Sequence, residues 1–83
     1  MAQNQPNTIG EKIKAVVKEQ RRSASWLAEQ LNCHRVNIYD IYERQNIDTE
    51  LLLRISVALR YNFFGYFTEI FNEKIQDNPP NVK

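Results

Sequence analysis

Cys33 and His34, the only cysteine and the only histidine of the chain, stand side by side in the stretch LNCHRVNIYDIYER, Leu31 to Arg44. Thiolate and imidazole are zinc ligands and reactive groups, so metal binding and covalent chemistry are the first readings to weigh. A structural zinc site asks for four ligands, and these two residues supply at most half of them. Neighbouring side chains on a helix diverge by about 100°, so they converge poorly on one ion. One cysteine cannot close an internal disulfide, and Cys33 is expected as a small core residue. No nucleophile, base and orienting group recur at a recognisable spacing, and no glycine-rich phosphate loop is present. The chain is therefore expected not to be an enzyme, and to use neither metal nor cofactor.

The chemistry left to the same stretch is recognition by a surface, and that depends on the elements that present it. At 83 residues the chain has room for one domain with a modest core, which makes oligomerisation a natural way to complete it. A hydrophobic fraction of 42% and a charged fraction of 25% are ordinary for a globular domain. Two Gly and three Pro leave little material for β turns, so an all-α protein is predicted. No apolar run is long enough to span a bilayer, and MAQNQPN has neither the basic start nor the apolar core of a signal peptide. A cytoplasmic location and no membrane partner are expected.

Five helices can be placed. Thr8 followed by Glu11 has the form of a capping box, and Ile9, Ile13, Val16 and Val17 recur at helical spacing as far as about Gln20. Ser23 can cap a second helix that buries Leu27, Ala28 and Leu31. Asn32, which tolerates the left-handed conformation, ends that helix and turns Cys33 back toward the core. A third helix from about Arg35 to Arg44 buries Ile38 and Ile41. Asp48 can cap a fourth carrying Leu51, Leu52, Ile55, Ala58 and Leu59 inward, and Asn62 can cap a fifth. Residues 1–7 are expected to form a disordered arm, 8–76 the domain, and 77–83 a mobile tail that follows Pro79 and Pro80.

Two features point outward. Between residues 12 and 35 the cations Lys12, Lys14, Lys18, Arg21, Arg22 and Arg35 face only Glu19 and Glu29, although the formal net charge is just +1. Phosphate contact and simple solvation of an outer helix face account equally well for most of them. The segment NFFGYFTEIFNEKI has a heavier aromatic load than a short terminal helix needs. Phe63, Phe64 and Phe67 are expected to plug the base of the core. The stripe Phe67, Ile70, Phe71 and Ile75 is expected to meet a second copy of the chain. Gly65 implies either a close helix approach or a weak helix start.

The pattern Leu27, Ala28, Leu31, Asn32, Cys33, Ile38, Ile41 resembles the helix-turn-helix of the phage repressor/Cro family, often called XRE, of bacterial transcription regulators. Residues 8–68 share the likeness, since NIDTELLLRISVALRYNFFGYF is similar to that family's fourth and fifth helices. The resemblance implies a five-helix lambda-repressor-like DNA-binding domain whose third helix enters the major groove of double-stranded DNA. It makes Arg35, Val36, Asn37 and Asp40 candidates for base contact: Arg35 for guanine, Asn37 for adenine, Val36 for a thymine methyl and Asp40 for a cytosine amino group. Ser23, Ser25, His34, Tyr39 and Arg44 become candidates for the DNA backbone. Tyr42 and Trp26 are read as packing residues, Trp26 with a backbone contact as its alternative.

The sequence departs from the family's pattern at three places. Asp40 puts a carboxylate where a basic or polar residue is common, which phosphates repel unless it pairs with Arg44 one turn on. Ala24 replaces a frequent glutamine, and His34 is a poorer helix cap than Ser or Thr. The resemblance also implies a two-fold homodimer with recognition helices about 34 Å apart; an isologous contact through the C-terminal helix is expected to place Phe71 of each copy near the axis, with Glu69, Glu73 and Lys74 on the rim. An alternative of a different class is a helix-turn-helix scaffold used for protein interaction, or an antitoxin-type regulator with a protein partner, since fold alone does not fix function.

Overall fold

A computed structural model describes residues 7–77 of the chain, with side chains described for 7–76. These residues form five helices and no strand: α1 Ile9–Glu19, α2 Ala24–Leu31, α3 Arg35–Tyr42, α4 Thr49–Leu59 and α5 Phe64–Asp77. Among the described residues no helix is long and apolar enough to cross a membrane. The expected arm at 1–7 and tail at 77–83 lie almost wholly outside the described residues.

The helix starts follow from their capping residues. Thr8 Oγ1 accepts from the Glu11 N–H at 3.1 Å, Ser23 Oγ from the Trp26 N–H at 3.0 Å, and Asp48 Oδ1 from the Leu51 N–H at 2.8 Å. Each satisfies one of the donors that a helix start leaves unpaired. Glu11 closes its box one residue earlier than expected, accepting from the Asn7 N–H at 2.8 Å and not from Thr8. Asn62 bridges to the Phe64 N–H at 3.0 Å and starts α5.

Three helix ends, those of α1, α2 and α4, share one device. Arg21, Asn32 and Arg60 all adopt positive φ, and the residue after each donates back into the preceding turn: Arg22 to the Val17 carbonyl, Cys33 to Ala28 and Tyr61 to Ser56. Asn32 suits this conformation, whereas arginine enters the left-handed region only at a cost of about 1 kcal/mol or more. The ends of α1 and α4 are also tied to each other, because Gln20 Nε2 donates to the Leu59 carbonyl at 2.8 Å.

The core forms where the apolar faces meet. Ile13, Leu27, Ile38, Ile55 and Phe63 are completely buried, one from each helix or from the residue that leads into it. Truncating any of them to alanine costs about 2–5 kcal/mol. Leu51 and Ala58 are half-buried at the margin, short of the inward position expected of them. Phe67 corrects its own assignment as a core plug: it is 41% exposed, while Phe63 fills the core and Phe64 packs on its edge. The reason is register, since Phe63 precedes α5 and turns inward while Phe67 lies a turn along a helix that leaves the core. Every residue from Phe71 to Gln76 is exposed.

Candidate nucleic-acid interface

α2, a turn of three residues and α3 form the unit that carries the candidate residues. Asn32, at φ 59° and ψ 49°, reverses the chain, and Cys33 and His34 complete the connection. Arg54 of α4 holds this corner, its guanidinium donating to the Leu31 carbonyl at 2.7 Å. That carbonyl belongs to the last turn of α2 and has no partner within the helix. Arg54 is a positioning residue that sequence reading did not single out, because an arginine on an outer helix face carries no signal of the acceptor it finds.

α3 is anchored from below and free above. Ile38 and Ile41 are buried, which fixes the roll of the helix. Arg35, Val36, Asn37, Tyr39 and Asp40 are exposed around the rest of the helix. Four of them are the candidate base contacts, and they spread over more than half of its circumference, Arg35 and Asn37 lying on nearly opposite sides. His34 precedes the helix with extended backbone and makes no side-chain capping bond, leaving its imidazole exposed and the first N–H groups of α3 without a side-chain cap. Such a helix start favours negative charge.

Asp40 and Arg44 form an ion pair at 3.1 Å, one turn apart, with both side chains substantially exposed. A surface pair of this kind contributes about 0–1 kcal/mol to stability. Its larger effect is electrostatic, since the pair offsets the carboxylate locally while engaging the guanidinium assigned to the DNA backbone. Ser23 spends an oxygen lone pair on the α2 cap and keeps its hydroxyl proton for another acceptor. Ser25 is exposed one residue into α2. Arg22 stacks over the Trp26 ring with its guanidinium carbon 4.2 Å from the centroid, which accounts for the half-buried tryptophan as a packing residue.

Tyr39 meets Tyr42 edge to face, their ring centroids 6.1 Å apart. Tyr42 is half-buried against the core, and its hydroxyl titrates above the ordinary tyrosine value because of burial first and the neighbouring Tyr39 second. Lys14 of α1 joins Tyr42, Glu43 and Gln45 around a polar groove at the far end of α3. Lys14 therefore stands near the end of α3.

Cys33 is half-buried and unpaired, packed on the core edge, and His34 faces outward beside it. Among the described residues no three His, Cys, Asp or Glu side chains cluster as a metal site requires. Of the four residues read as a dimer stripe, Phe67, Phe71 and Ile75 are exposed and Ile70 is half-buried. Comparison with protein-family models, with curated proteins and with solved structures finds no match to this chain.

Proposed function

We propose that this chain is a sequence-specific DNA-binding transcriptional regulator that presents α3 to the major groove and acts as a homodimer. The observation that carries the reading is the two-sidedness of α3: Ile38 and Ile41 lock it to the core while Arg35, Val36, Asn37 and Asp40 are all exposed. An arginine at the head of such a helix has the donor fork for guanine O6 and N7, and Asn37, two residues on, has the donor and acceptor for adenine. Ser23, Ser25, His34, Tyr39 and Arg44 flank this set with hydroxyl, imidazole and guanidinium groups suited to phosphate oxygens. The unpaired stripe of α5 supplies the apolar surface for pairing two such units.

Selection from random duplexes with purified protein tests the reading. A recovered inverted repeat, bound with an affinity that falls steeply with salt as counterions are released, is the expected result. A second reading is favoured by the exposed apolar residues on α4 and α5 and by the net charge of only +1: a protein-interaction scaffold or an antitoxin-type regulator. Absence of any DNA retention at low salt would select it.

A further inference from the structure

A cleft of about 840 Å³ lies between α2 and α4, and its walls are of two kinds. Trp26 of α2 and Leu53 and Val57 of α4 form an apolar strip, with Leu53 and Val57 exposed one turn apart. Arg22, Arg54 and Arg60 bring three guanidinium groups, and no carboxylate lines the cleft. Among the described residues the one ion pair joins Asp40 to Arg44, so none of the three arginines has an acidic partner there.

Two of these cations belong to one end of the cleft. Gln20 also lines it and donates to the Leu59 carbonyl at 2.8 Å, which ties the end of α1 to the end of α4. Arg22 follows the first of these ends and Arg60 the second. Arg54 is engaged elsewhere, by the Leu31 carbonyl at 2.7 Å, and Arg22 is steadied by its stacking on Trp26 at 4.2 Å. Arg60 ends α4 at φ 52° and ψ 45°, a left-handed conformation that glycine and asparagine adopt at lower cost. The turn itself does not need a guanidinium, so what arginine adds at this position is charge beside the cleft. From there Val57 and Leu53 lead back along about 10 Å of helix.

We propose that the α2/α4 cleft binds a small organic carboxylate with an aliphatic body, its head at Arg22 and Arg60 and its chain along Val57 and Leu53. Guanidinium groups take a carboxylate through charge-assisted hydrogen bonds, and the aliphatic strip beside them removes the chain from water. An uncharged molecule makes no use of the arginines, and an inorganic anion makes no use of the strip. The site goes beyond the function proposed above and does not depend on it, since the cleft is lined by none of the candidate base contacts Arg35, Val36, Asn37 and Asp40.

Titration of the purified chain with octanoate, below its micellar concentration and without DNA, tests it. Trp26 is the only tryptophan of the chain and lines the cleft, so its emission reports occupancy there. A saturable change is expected with octanoate and none with octanol or acetate at the same concentrations. Arg60→Asn should weaken octanoate binding by about tenfold or more, the effect of losing one charge-assisted hydrogen bond. The same variant should keep or raise folding stability, because asparagine suits the left-handed turn, and that combination is not what a merely structural arginine would give. Val57→Glu, at an exposed position, should abolish binding. Unchanged affinity in either variant would place octanoate on another apolar surface, the α5 stripe included, and overturn the proposal. Equal binding of octanol, or no saturable change with octanoate at millimolar concentration, would overturn it as well. A chain that binds octanoate and retains no DNA leaves this inference standing and removes the DNA reading, so the two fail separately.

Discussion

The backbone N–H of Gly10 donates to the carbonyl of Arg44 across 3.1 Å, joining the first turn of α1 to the residues that follow α3. Both groups are orphans of their own helices, one a donor at a helix start and the other an acceptor just past a helix end. The approach is close because Gly10 has no side chain: a Cβ there would stand 2.5 Å from the carbonyl oxygens of both Ile41 and Tyr42. The position of the candidate recognition helix is therefore set from α1 as well as from α2.

Gly10→Ala is accordingly expected to be one of the most damaging single-methyl changes in the chain. The obstructing atoms are backbone and cannot rotate away, so overpacking should cost about 1–3 kcal/mol. Urea denaturation should show a lowered midpoint, and DNA affinity should fall with it as α3 shifts. An unchanged midpoint would mean that α1 and α3 separate freely, contrary to the contact described.

The tyrosine pair gives a pH dependence of definite sign. Burial, followed by the nearby Tyr39, raises the Tyr42 hydroxyl above the ordinary value of 10.0. The folded state thus holds this proton more tightly than the unfolded state. Its contribution to stability is fully present below pH 10.0 and is lost as pH rises through the raised folded value. Tyr66, raised by burial and by Glu11 against an opposing effect of Lys12, adds in the same direction. Tyr42→Phe should therefore lose less stability than the parent between neutral and strongly alkaline pH, while retaining the share that belongs to Tyr66. Identical alkaline losses in both proteins would show that Tyr42 is solvated in the folded state.

Arg35→Ala should relax base preference and cost about 1–3 kcal/mol against a preferred site. A uniform loss across all sequences would make Arg35 a phosphate contact instead. Asp40→Asn breaks the 3.1 Å pair with Arg44, removes a repelled carboxylate and releases a guanidinium. Folding stability should move by no more than about 1 kcal/mol. Binding to random duplex DNA should strengthen, and weaker binding would sink the idea that Asp40 trades affinity for selectivity.

Much of the fold could be read from spacing, and the misses have physical causes. Thr8, Ser23 and Asp48 announce helix starts because their short polar side chains reach back to nearby N–H groups, and all three make those bonds. Asn32 announces its turn because asparagine tolerates positive φ. Arg21 and Arg60 make the same turn with nothing in their side chains to advertise it. Gly10 looked like any helical glycine, since the carbonyls it admits belong to residues more than thirty positions away. Gly65 is the converse: a Cβ there would meet nothing within 4 Å, so the described chain needs no close approach at that point and the glycine weakens the start of α5. The outward face of α3 followed from its two buried isoleucines, whereas Arg54, which steadies the turn, and the cleft it lines depend on contacts between helices that a linear pattern does not carry.

The assembly prediction rests on residues that the core does not need. Phe71 is 59% exposed and Ile75 38% exposed, so replacing both with glutamate removes little of the packing that stabilises the monomer. The double variant should fold with a helical spectrum like the parent's. It should also sediment as a monomer, because two carboxylates on the stripe oppose burial against any apolar partner surface. DNA affinity for an inverted repeat should then drop, since the second half-site is no longer held at a high effective concentration by the first. Binding to an isolated half-site should be unchanged, which separates loss of tethering from damage to α3. If the parent chain already sediments as a monomer at micromolar concentration, or if the double variant unfolds instead of dissociating, α5 does not hold the dimer and the recognition helices must be paired by another surface.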